Sequence, residues 1–143
     1  MTGATGAALL LALAACESPG ANRVEGSAHS GAGVHAATIR GTVTYREPMA
    51  LPPEALVRVS LVDVSLADAA SPTIAAIEIR PQGQVPVPFA LSYDPQRIED
   101  RHSYALRARI SSHDGLLFIT TTMNPISTGG ADNADLVLER VGG

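Results

Sequence analysis

Residues 104–122 read YALRARISSHDGLLFITTT, and the fold is decided here. Tyr104, Leu106, Ala108 and Ile110 alternate with Arg107 and Arg109. That period of two places apolar side chains on one face of a strand and charged ones on the other. His113-Asp114-Gly115 supplies a tight connection, because glycine tolerates the positive φ that hairpin turns demand and Asp bonds its own backbone. Leu116 to Thr122 then returns as a second strand. The segment reads as a β-hairpin, and no segment elsewhere shows a convincing amphipathic helical period.

The chain on either side follows the same rule. Ile39, Gly41, Val43 and Tyr45 alternate with Arg40, Thr42 and Thr44, until Glu47-Pro48 and Leu51-Pro52-Pro53 break the pattern. Val57, Val59 and Leu61 alternate with Arg58 and Ser60, and the apolar phase then shifts by one at Val62 and Val64. A shift of one residue exchanges the two faces, which predicts a β-bulge. After a turn over 67–72, Ile74, Ile77 and Ile79 mark a third strand. Gly83 opens a turn into Val85, Val87, Phe89 and Leu91, with Pro86 and Pro88 between them. Two prolines two positions apart remove two N–H donors from one rim, so this strand is expected at a sheet edge. Tyr93-Asp94-Pro95 begins a loop with a single helical turn within 95–101. Beyond the hairpin, Asn124-Pro125 and Gly129-Gly130 act as breakers, and Leu136 and Leu138 belong to a final strand ending near Val141. The reading is all-β: a small antiparallel β-sandwich of about seven strands over residues 38–143.

Composition sets the outer bounds. A chain of 143 residues fits one domain, and 45% apolar with 17% charged residues is a globular balance. A duplex-binding protein usually carries an excess of basic residues, so the net charge of −4 argues against a nucleic-acid partner. With no Trp, three Tyr and two Phe, the core is expected to be aliphatic. One cysteine excludes an intramolecular disulfide and a Cys-rich zinc site.

Residues 7–15 read AALLLALAA and end at Cys16. A bilayer span needs about 20 apolar residues, so this run has the length of a signal-peptide apolar region instead. Leu13-Ala14-Ala15-Cys16 resembles a bacterial lipobox, although no basic residue precedes it and the first is Arg23. The resemblance implies a signal peptide over 1–15, cleavage before Cys16, diacylglycerol on the Cys16 thiol and acylation of its amine. Each buried CH₂ adds about 0.8 kcal/mol, so several chains hold a protein stably on a membrane. Glu17, rather than Asp, follows the cysteine; by analogy with enteric sorting, the expected address is the outer membrane, facing the periplasm. Residues 16–37 are rich in Gly, Ala and Ser without apolar period, and are expected to form a flexible tether. About 20 such residues reach roughly 25 Å. His29 and His35 read as solvated tail residues, not metal ligands.

Between Ile39 and Thr128, six pieces carry a family resemblance. They are Gly41-Thr42-Val43-Thr44-Tyr45, Leu51-Pro52-Pro53, Asp63-Val64-Ser65, Val87-Pro88-Phe89, Tyr93-Asp94-Pro95 and the 104–110 run YALRARI. Together they are similar to the YbaY/YscW family of small bacterial lipoproteins. The resemblance implies a β-sandwich and a link to YscW-type pilotins, lipid-anchored chaperones that help a secretin ring assemble in the outer membrane.

Reactive motifs are thin. No Gly-x-Ser-x-Gly elbow, His-Glu-x-x-His or phosphate-binding glycine loop occurs, so no enzyme activity and no cofactor are expected. His113-Asp114 is explained by turn chemistry rather than by a base and its orienter. Glu99 and Asp100 are flanked by Arg97 and Arg101, which predicts solvated ion pairs. Tyr45, Phe89 and Tyr104 sit on apolar faces and are expected in the core. Arg107 and Arg109 share one strand face; they are either a partner-binding patch or an ordinary solvent face. The expected function is a non-catalytic envelope lipoprotein that binds or chaperones another envelope protein. The alternative is a small-ligand or glycan-binding sandwich, which would show a concave pair of exposed aromatic rings.

Overall fold

The computed structural model describes Gly3, residues 36–128 and residues 133–142. Cys16, the leader 1–15, His29, His35 and all of the 16–37 tether except Ala36 and Ala37 lie outside the described residues.

Eight strands lie within 37–140: β1 (Ala37–Tyr45), β2 (Leu56–Asp63), β3 (Thr73–Ile79), β4 (Val87–Tyr93), β5 (Tyr104–Ser112), β6 (Gly115–Ile119), β7 (Asn124–Ile126) and β8 (Asn133–Arg140). They run β3-β2-β5-β6-β8-β1-β4, with β7 also on β5. One layer is β4-β1-β8 and the other is β3-β2-β5 with β6 and β7. The layers join where Phe118 and Ile119 of β6 pair with Arg140 and Glu139 of β8. The sheet thus rolls almost closed, and the all-β reading holds.

Alternation fills the space between the layers. Ile39, Val43, Val57, Val59, Leu61, Leu91, Leu106, Ile110, Leu136 and Leu138 are all buried. Tyr45 and Phe118 stack within this aliphatic core, ring centroids 4.1 Å apart and planes 8° from parallel. The Tyr45 hydroxyl donates to the Met49 carbonyl at 2.9 Å, so its burial leaves no orphan polar atom. Gly41 lets β1 and β8 approach closely: a Cβ there would strike the Ala134 carbonyl and approach Phe89 to 2.9 Å.

The two terminal strands of this order are each partly blunted. Among the described residues β4 pairs only with β1, as its prolines predict, and Pro88 has no N–H to offer a second neighbour. Pro86 lies just outside the strand. The other terminal strand is β3, and Arg97 donates its guanidinium to the carbonyls of Thr73 and Ile74. Arg97 ends the 3₁₀ turn Pro95–Arg97, capped by Asp94, whose carboxylate accepts from Gln96 N–H at 2.8 Å. The helical turn expected within 95–101 is present.

Other expectations need correction. The final hairpin strand ends at Ile119, not Thr122, because the chain leaves the ladder after Thr120 donates to the Ala108 carbonyl. Asn124-Pro125 does not break the structure but forms β7 against β5, with Pro125 opposite Ala105. Proline is tolerated there because β7 is paired on one side only among the described residues. β1 and β8 run parallel, so the sheet is not wholly antiparallel; the first and last strands meet only after the chain has circled the core. The bulge foreseen in β2 lies across from it. Leu61 pairs with Ala75 and Val62 with Thr73, leaving Ile74 of β3 as the extra residue, while β2 keeps an unbroken register with β5. A second bulge leaves Leu117 unopposed in β6. The last strand also starts earlier than its leucines imply, at Asn133.

Candidate functional site

The outward face of β2 and β5 forms the floor of a groove. Alternation aims Arg58 and Ser60 of β2, and Arg107 and Arg109 of β5, away from the core. Register places Arg58 opposite Arg109 and Ser60 opposite Arg107. The departure of the chain from β5 after Ile119 raises a wall. Residues 120–123 bulge outward before β7 regains the ladder at Asn124, opposite Leu106. Between this wall and the β3 side lies a cavity of about 660 Å³. Arg58, Arg107, Arg109, Val62, Ile119 and Met123 give it its chemistry, and among the described residues no Asp or Glu lines it. Val62 is buried although it faces outward, and Met123 is 68% exposed on the rim.

The groove holds excess positive charge. Like charges directly opposite on neighbouring strands repel. Arg58 and Arg109 have that relationship, with one counter-ion: Arg58 Nη1 lies 2.9 Å from Glu78 Oε1. Arg107 Nη2 reaches Ser71 Oγ at 3.5 Å, and no hydrogen bond or ion pair engages Arg109 among the described residues. A second cavity, of about 720 Å³, is lined by Arg46, Glu47, Glu139 and Arg140. Its charges balance, so it selects no charge class.

A polar cluster closes the end of the β2–β5 pair. His102 Nδ1 lies 2.6 Å from Asp63 Oδ2, and Nε2 lies 3.3 Å from Glu99 Oε2. Asp63 Oδ1 accepts from Ser65 N–H at 2.9 Å, and Ser65 Oγ accepts from Ser103 N–H at 2.8 Å. Hydrogen bonding from Ser65, its backbone N–H first and its side chain next, and then from His102 holds the Asp63 pKa down at about 2. Hydrogen bonding to Asp63, with added attraction from Asp63 and Glu99, outweighs partial burial and raises His102. A serine, a histidine and an aspartate together resemble a hydrolytic set, but the connectivity is wrong. Both imidazole nitrogens face carboxylates, and Ser65 bonds to Asp63 and Ser103 instead of the ring. The cluster is a structural clasp.

Arg107 and Arg109 therefore stand in the groove with Arg58, which sequence periodicity marked as outward without revealing its neighbour. The 120–123 wall carried no signal, because TTTM continues a β-prone run. His113 and Asp114 occupy the hairpin tip, where Gly115 takes φ +120°. The ion pairs expected around 97–101 do not form: Glu99 turns to His102, and Arg97 to the β3 carbonyls. Tyr45, Phe89 and Tyr104 are in the core as expected, as are Tyr93 and Phe118. All five aromatic rings are thus buried, and the concave aromatic pair required for glycan binding is not there. Among the described residues no group of three His, Cys, Asp or Glu could hold a metal ion, and no helix is long and apolar enough to cross a membrane.

Fold and groove define a small β-structured domain with a cationic groove, in which the Ser65-His102-Asp63 cluster is wired as a clasp. The chain belongs to the family described as type III secretion system lipoprotein chaperone (YscW), which matches residues 34–138. It is similar to the uncharacterized lipoprotein YbaY of Escherichia coli K12, 38% identical over 145 residues, spanning 94% of this chain and 76% of YbaY. It is also similar in structure to an alternative pilotin from the type II secretion system of Vibrio cholerae. That match has a TM-score of 0.69 at 39% identity and covers 76% of this chain and 99% of the pilotin chain. Family and neighbour support a non-catalytic chaperone role.

Proposed function

We propose that this chain acts as a pilotin-like lipoprotein. Cleaved and lipidated at Cys16, it is held by the 16–37 tether at the periplasmic face of the outer membrane. There its 38–143 domain binds a secretin-class envelope protein and catalyses no reaction. The observation carrying this reading is the placement of Arg107 and Arg109 in a groove on a sheet face, beside terminal strands that Pro88 and Arg97 partly blunt. Edge strands are the usual places for capturing an extended peptide. Pro88 and Arg97 make β4 and β3 poorer templates for strand addition, which favours a face with a floor and a wall as the partner surface. Membership of the chaperone family and likeness to a pilotin supply the partner class.

Two measurements test the reading. Labelling with a palmitate analogue should mark the chain and fail on Cys16→Ser; equal labelling of both forms rejects the anchor. Formaldehyde crosslinking in intact cells should trap an envelope protein on the anchored chain. Absence of any protein adduct across several crosslinkers rejects the binding role.

A further inference from the structure

Building on the binding role proposed above, we infer that the β2–β5 groove receives an acidic segment of the partner protein, one carrying two carboxylates about 7 Å apart beside an apolar side chain. Three observations lead there. First, the groove brings Arg58, Arg107 and Arg109 together with no acidic lining residue among the described residues, in a chain whose net charge is −4. Second, these arginines are mutually unfavourable while the groove is empty of counter-charge. Arg58 faces Arg109 across the ladder, and Arg107 stands two residues from Arg109 on the same face, about 7 Å along the strand. Glu78 answers only one of the three. A carboxylate entering between them removes repulsion as well as adding attraction. Third, the planar guanidinium fork matches a carboxylate through two parallel hydrogen bonds, which gives geometry as well as charge.

The apolar half of the ligand follows from the wall and floor. Val62 and Ile119 line the groove, and Met123 stands largely exposed at its rim. Methionine adapts to varied apolar partners, so the rim suits a Leu-, Ile- or Met-bearing segment. Spacings of i, i+2 in a strand and i, i+4 in a helix both deliver two carboxylates across about 6–7 Å. An anionic lipid headgroup shares the carboxylate's charge. The apolar lining of Val62, Ile119 and Met123 beside the exposed arginines suits a side chain of a protein segment better than a headgroup alone.

The test uses the full lipoprotein in living cells, with Met123 replaced by the photocrosslinking residue p-benzoylphenylalanine. Met123 is exposed, so the replacement spares the core. The crosslinked fragment is then sequenced by mass spectrometry. The expected product is a protein segment with an excess of Asp and Glu. Its yield should fall at least tenfold in Arg107→Gln/Arg109→Gln, whose melting temperature stays equal to or above that of the parent. A lipid adduct, a neutral or basic protein segment, a yield indifferent to the double substitution, or no adduct at position 123 each overturns the inference. Formaldehyde capture separates the two proposals. A partner still trapped by formaldehyde when position 123 gives no acidic adduct leaves the binding role standing and removes only the groove.

Discussion

Asp63 and His102 meet at 2.6 Å, and the far nitrogen of the same ring lies 3.3 Å from Glu99. One imidazole therefore ties the end of β2 to the loop entering β5 through Asp63, while Glu99 braces the ring from within that loop. Val64 N–H seals the junction by donating to the Ser103 carbonyl at 2.8 Å.

This clasp makes stability depend on pH from both sides. Folding raises the His102 pKa, so its contribution is complete below the ordinary value of 6.5 and disappears as pH climbs through the raised folded value. Folding lowers Asp63 from 3.8 to about 2, so its contribution is present above the ordinary value and lost as pH falls toward 2. The urea midpoint should be higher at pH 5 than at pH 8, and His102→Gln should flatten that fall. A parent midpoint that rises from pH 5 to 8 with the same slope in His102→Gln rules the clasp out as its source.

Gly41 is a steric requirement of the β1–β8 seam, because any Cβ there meets the Ala134 carbonyl. Gly41→Val should cost about 3 kcal/mol by forcing the strands apart. Gly41→Ala should fail in the same direction by a smaller amount. Chemical denaturation reads both, and an unchanged midpoint in the valine variant contradicts the close approach.

The Tyr45–Phe118 stack should dominate the core energetically. Phe118 is fully buried, and Phe118→Ala is expected to cost about 3–5 kcal/mol. Tyr45→Phe keeps the stack but leaves the Met49 carbonyl without its donor, a loss of about 1 kcal/mol. Thermal unfolding should rank the two in that order.

Removing one groove arginine should not harm the fold. Arg109→Gln relieves its repulsion with Arg58 and should leave stability unchanged or raise it by about 0.2–1 kcal/mol. The gain should shrink in high salt, which screens the repulsion already. A clear loss of stability at low salt would show that Arg109 has a structural partner.

Sequence periodicity was enough for most of the barrel wall, because alternation such as Tyr104–Arg107–Arg109–Ile110 survives whatever neighbours a strand acquires. Pro88 likewise marked β4 as an edge, since a missing donor is a local fact. Neighbourhood was not legible. Arg58 and Arg109 are 51 positions apart, and only the observed register makes them a pair. The clasp escaped for the same reason: Asp63 ends β2 and His102 lies in a loop without period, 39 positions away. Pro125 misled in the other direction, because proline forbids only a central strand position, and β7 is not central.

The parallel seam of β1 against β8 joins Arg40 to Asn133 and Tyr45 to Leu138. Such distant contacts carry a high loop-closure cost and form late. A chain made from its N-terminus cannot complete this wall until residues 133–138 have followed. Until then β1 waits with one flank unpaired, although its partner β4 was made long before.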